Sequence, residues 1–96
     1  MKGTVYISGP ITGHPYYKAT FAYVEALLVR LGYDVVNPAT IDEPEWDWEQ
    51  YMQYDLAQLR GCDYIYMCNG WKQSKGACIE KRYAKRMGIP ELVGAS

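Results

Sequence analysis

Short apolar runs alternate with helically spaced stripes along this chain. Thr4-Val5-Tyr6-Ile7-Ser8 is a β-rich run closed by Gly9-Pro10, and the segment Ile11 to Tyr17, with Gly13, His14 and Pro15, is a loop. From about Lys18 the positions Phe21, Val24, Leu27, Leu28 and Leu31 follow the helical period, and Gly32 is placed to end that helix in a left-handed cap. Tyr33 to Val36 supplies a second strand. Asn37-Pro38 ends it, since proline lacks a donor and pushes the residue before it away from helical geometry. A second helix is predicted from about Glu45–Trp48 to Arg60-Gly61, with acids early and a base late, as the helix dipole favours. The run Cys62 to Cys68 is almost continuously apolar after Asp63, the pattern of a central strand covered on both faces. A third helix starts near Ser74 to Gly76 and stops at Gly88 and Pro90, before a last short strand at Glu91 to Val93. Strands alternating with helices predict one doubly wound, Rossmann-like or flavodoxin-like α/β domain, with a four- to five-stranded, mainly parallel sheet and about three helices.

Two acids break the apolar stripes from within. In the second helix Trp48, Tyr51, Met52, Leu56 and Leu59 form the stripe, and Asp55 falls inside it. In the third, Glu80 shares the dry side with Tyr83, Ala84 and Met87, while Lys81, Arg82, Lys85 and Arg86 take the wet side. A carboxylate on a core-facing side costs stability unless something there uses its charge, so the pair points to carboxylate chemistry.

Composition narrows the partners. A chain of 96 residues builds one domain with a single modest core, and ten Lys plus Arg against eleven Asp plus Glu leave a net charge of -1. That balance gives no footprint for a nucleic-acid polymer or an anionic membrane, and a small molecule is the expected partner. Cys62, Cys68 and Cys78 are odd in number and form no paired ligand spacing, so neither a disulfide framework nor a metal site is indicated. No cofactor is implied. No stretch has the length of a membrane span, and Met1-Lys2 leads directly into the first strand with no cleavable apolar region behind it, so a soluble, cytoplasmic protein is expected.

In a sheet of this kind ligands bind beyond the carboxyl ends of the strands. Three segments lie there: Ser8 to Tyr17, Asn37 to Trp48, and Asn69 to Gly76. The first carries Gly9 and Gly13 for close backbone approach but lacks the spacing of a dinucleotide fingerprint. In the third, Ser74-Lys75-Gly76 opens a helix, where free N–H groups and a hydroxyl suit an anion. A simple helix cap explains the same residues equally well.

Tyr6-Ile7-Ser8-Gly9-Pro10-Ile11, then Asp55-Leu56 to Cys62-Asp63, then Ser74-x-Gly76-x-x-x-Glu80 resemble, in order and spacing, the three motifs of the nucleoside 2-deoxyribosyltransferase-like superfamily. The chain is most similar to its small branch of 2-deoxynucleoside 5-monophosphate N-hydrolases and to short uncharacterised phage and bacterial proteins. The resemblance implies that Glu80 is a nucleophile that attacks the anomeric carbon of a (deoxy)nucleoside or its 5-monophosphate. Water or a second base would then resolve the glycosyl ester. It further implies that Asp55 is the second acid, that Tyr6 orients the nucleophile, and that Ser74, Gly76 and the backbone after Ser8 (Gly9, Pro10 and Ile11) hold the 5-phosphate. His14 and Asn37, from the loops after the first two strands, complete the expected substrate contacts. A homo-oligomer is implied as well, because family members build their sites at subunit contacts.

Other readings stay open beside this one. Tyr6 also fits a core aromatic, and Asp55 a partner for Lys18 or another cation. Trp46, Trp48, Trp71, Tyr16 and Tyr17 suit either base stacking or a subunit interface. Where the monophosphate hydrolases typically place an arginine, this chain has Thr12, Gly13, His14, Pro15, Tyr16 and Tyr17. A catalytically silent module that senses or sequesters a nucleotide-like metabolite is the alternative function.

Overall fold

The computed structural model describes residues 2–93 and is an α/β fold of three parallel strands and three α-helices, compatible with a Rossmann-like arrangement. In chain order the elements are β1 (Thr4–Ser8), α1 (Tyr17–Arg30), β2 (Asp34–Val36), α2 (Trp48–Arg60), β3 (Tyr64–Met67) and α3 (Lys75–Arg86). Single 3-10 turns at Pro38–Thr40 and Trp71–Gln73 follow β2 and β3. The strand order is β2-β1-β3, with Tyr6 in register with Val36 on one side and with Ile65 on the other.

Two expectations need correction. The central strand is β1, not the Cys62–Cys68 segment, and among the described residues the sheet has three strands rather than four or five. Near Glu91 the chain makes only one parallel bridge, to Ile65, beside the Lys81–Glu91 ion pair. Pro90 offers its carbonyl to the Ile65 N–H but, having no N–H of its own, cannot extend a ladder there. The β3 segment is covered on both faces, as its continuous apolar character predicts, although it stands beside the central strand rather than at the centre. Tyr64, Tyr66 and Cys68 pack with the cluster on one face of the sheet, and Ile65 and Met67 with the cluster on the other.

Alternation along β1 divides the core in two. Val5 and Ile7 pack with Phe21, Val24 and Leu28 of α1, while Tyr6 packs with Leu59, Cys62, Ile65 and Ala84 under α2 and α3. The helix ends follow local chemistry. Asp47 and Gln50 form a reciprocal capping box at the start of α2, Ser74 accepts from the Ala77 N–H at the start of α3, and Gly32 takes a φ of +99° just beyond α1. Met87, placed on the dry side by periodicity, caps the end of α3 and is exposed, because the helix stops there at Gly88. No helix of the described residues is long and apolar enough to cross a membrane.

Candidate functional site

A cavity of about 620 Å³ opens at the carboxyl ends of the strands, within the range typical of small-ligand sites. All three segments beyond the strand ends contribute to it. Gly9, Ile11 and Thr12 come from the loop after β1, Pro38, Ala39, Ile41 and Asp42 from the segment after β2, and Gln73, Ser74, Lys75 and Gly76 from the start of α3. The strand order explains the convergence: β2 and β3 lie on opposite sides of β1, so the connections diverge from its end and leave a crevice there.

Glu80 sits at the floor, 5% exposed, one and a half turns into α3. Because Tyr6 and Ser8 are two residues apart on a strand, they point to the same face, and each takes one oxygen of Glu80. The Tyr6 hydroxyl donates to Oε2 at 2.7 Å and the Ser8 hydroxyl to Oε1 at 2.6 Å. Burial pushes the Glu80 carboxyl up to about 7, and the negative charge of Asp55 adds to that rise. The two donated hydrogen bonds pull the other way, towards the ionised form. The Tyr6 phenol is held well above its ordinary range, first by burial and then by the charge of Glu80.

Asp55, 8% exposed, reaches the same cavity from α2. Burial raises its carboxyl to about 6, and its Oδ1 is buried with no hydrogen-bond partner among the described residues. The Lys18 pairing is absent: the one ion pair among the described residues is Lys81–Glu91. Two acids thus face one cavity, both displaced into the range where a group can take and release a proton near neutral pH.

The remaining expected positions divide. Gly9, Ile11, Ser74 and Gly76 line the cavity with Glu80 and Asp55, while Tyr6 and Ser8 lie beneath it as hydrogen-bond donors to Glu80. Gly9 approaches β3 so closely that an added Cβ would fall 2.7 Å from Cys68 Cβ. At Gly76 an added Cβ would stand 3.3 Å from Met52 Sδ, so its small size keeps α2 and α3 close. Pro10 is buried outside the cavity lining and His14 is exposed outside it. Asn37 is engaged elsewhere, donating to Glu25 Oε1 at 2.9 Å and accepting from the Ala39 N–H at 2.9 Å to cap the turn after β2.

Of the loop aromatics, Trp48 and Tyr17 line the cavity, and Lys75 Nζ lies 4.7 Å from the centroid of the Trp48 ring. Trp46 instead packs on Tyr51 and Tyr54, Trp71 lies beneath Lys72 and Lys81, and Tyr16 is exposed. Ile41, Asp42, Tyr51, Met52 and Gln73 belong to the wall without having been singled out by the sequence motifs. The helical stripe carried Tyr51 and Met52. Ile41 and Asp42 lie within the Asn37–Trp48 segment expected at the crevice, but no periodic or motif signal distinguishes them from its other residues. No group of three or more His, Cys, Asp or Glu side chains among the described residues is arranged to hold a metal ion.

Comparison with known proteins gives one family. A family model described as Domain of unknown function (DUF4406) matches residues 3–92, which include every wall and floor residue named above. No curated protein and no solved structure matches the chain. The family match takes in all three strands, all three helices and the cavity between them, and the chain therefore belongs to the DUF4406 family.

Proposed function

We propose that the protein breaks the N-glycosidic bond of a (deoxy)nucleoside or its 5-monophosphate, by hydrolysis or by transfer to a second base, with Glu80 as nucleophile. The observation that carries this reading is the grip on Glu80: a buried carboxyl, fixed at both oxygens by Tyr6 and Ser8, on the floor of a ligand-sized cavity that a second buried acid shares. Each carboxylate oxygen retains a lone pair beyond the one its donor uses. In the first step an oxygen of Glu80 bonds to the anomeric carbon as the carbon–nitrogen bond breaks, and the electron pair of that bond leaves with the base. Asp55, raised to about 6, is suited to give a proton to the departing base and to take one from the water or base that resolves the ester.

The test is chromatographic detection of free base from a panel of deoxynucleosides, ribonucleosides and their 5-monophosphates, with and without an acceptor base. Release by the parent is expected, falling on the order of 10⁴-fold or more in Glu80→Ala and about 10²-fold in Asp55→Asn. Equal release by parent and Glu80→Ala removes Glu80 from the mechanism. Binding with no release by the parent supports a silent nucleotide-binding module instead.

A further inference from the structure

We infer that this cavity selects a nucleobase carrying an exocyclic amino group, with Asp42 as the selecting residue and Tyr51 as the residue that positions it; the inference rests on the nucleoside reading. The segment from Ile41 to Asp47 has no helix or strand of its own, yet its first two residues form cavity wall. What holds it is a double clasp. The Tyr51 hydroxyl accepts from the Glu43 N–H at 2.8 Å and donates to the Glu43 carbonyl oxygen at 2.8 Å, fixing the backbone next to Asp42. The Ile41 N–H bonds back to the Pro38 carbonyl on the other side, and Trp46 stacks edge-on against Tyr51 with ring centroids 5.3 Å apart. Asp42 is therefore carried by a backbone pinned before and after it.

The chemistry of the wall then decides what suits it. Tyr17, Ile41, Trp48, Tyr51 and Met52 offer apolar and aromatic surface to a planar ring. Asp42 forms no ion pair with any described residue, and Lys75, the cation of the same wall, is drawn over the Trp48 ring instead. An ionised carboxylate only accepts hydrogen bonds, so it complements an amino group and repels an oxo group at the same place. Because Asp42 is exposed, the expected discrimination is at the low end for a charged hydrogen bond, about tenfold.

Calorimetric titration of the folded protein tests this with ligands that differ at the amino position: deoxycytidine against deoxyuridine, and deoxyadenosine against the purine deoxynucleoside lacking the amino group. Each is offered as nucleoside and as 5-monophosphate. The parent is expected to bind the amino member of each pair about tenfold more tightly. Asp42→Asn and Tyr51→Phe should each bring the two members to within about twofold, because the amide is no longer acceptor-only and the freed loop no longer fixes Asp42. The ratio within a pair is the deciding quantity, since general loosening of the fold weakens both members alike. Equal affinities in the parent, or a preference that survives Asp42→Asn, overturn the inference and leave base release by Glu80 standing. Selective binding without base release keeps the inference and removes the chemistry, and no binding by any ligand overturns both.

Discussion

Tyr6 and Glu80, 74 residues apart in the chain, meet through a 2.7 Å hydrogen bond that joins the central strand to the third helix. The phenol is fully buried and its ionisation is suppressed, so it stays a donor across the working range of the carboxyl it faces. Ser8 repeats the arrangement on the other oxygen. A group whose burial favours the neutral acid is thus held by two contacts that favour the anion, and its ionisation reflects that opposition.

Removing one of the two contacts should expose the balance. Tyr6→Phe deletes the donor and keeps the ring, so the Glu80 carboxyl should titrate at higher pH than in the parent. Nuclear magnetic resonance of carboxyl-labelled glutamate reads this directly. Base release should fall about 10–100-fold, the range of a hydrogen bond to a charged group. An unchanged Glu80 titration would show that the phenol does not govern its ionisation.

The same displacement makes stability depend on pH. Glu80 moves from 4.5 to about 7 and Asp55 from 3.8 to about 6 on folding. Between the lower and upper values the folded chain binds more protons than the unfolded one, so stability falls as pH rises through those windows. Glu80→Gln keeps a neutral group that can bond both Tyr6 and Ser8. It should match the parent near pH 4 and exceed it near pH 8, by on the order of 3 kcal/mol at most for a shift from 4.5 to about 7. Urea midpoints at the two pH values measure the difference, and a gain of the same size at both would remove ionisation as its cause.

A third prediction concerns the turn out of β1. Gly9→Ala places a Cβ 2.7 Å from Cys68 Cβ, an atom fixed to the backbone and unable to swing aside. The substitution should destabilise the chain by about 1–3 kcal/mol, seen as a lower urea midpoint. A midpoint within error of the parent would mean that the end of β1 shifts more freely than its packing suggests.

Which of these features the sequence reveals follows from the range of the interactions. The burial of Asp55 and Glu80 is legible because a helix repeats every three to four residues, and an acid inside an apolar stripe has only one face to go to. A different local rule, the preference for a serine hydroxyl at a helix N-cap, marks Ser74 at the start of α3, where it accepts from the Ala77 N–H. Strand number is less legible. The residues at Glu91 to Val93 have strand-like composition, but Pro90 limits their pairing and one bridge is all that forms. Asn37 lies beyond a strand end, where a ligand contact is expected, yet Glu25, twelve residues earlier on α1, holds its amide. Asp42 joins the wall because Tyr51 clasps the next residue, a contact with no periodic signature.

The division of β1 into two faces has one further consequence. Val5 and Ile7 serve the α1 side of the sheet, and Tyr6 and Ser8 meet Glu80 on the other, so a one-residue slip of this strand would exchange the two sets. Glu80 would then face aliphatic carbon, and two hydroxyls would be driven in among Phe21, Val24 and Leu28. A single-residue insertion or deletion in this strand cannot strip Glu80 of its two hydroxyl donors alone, because the same shift also unmakes the core.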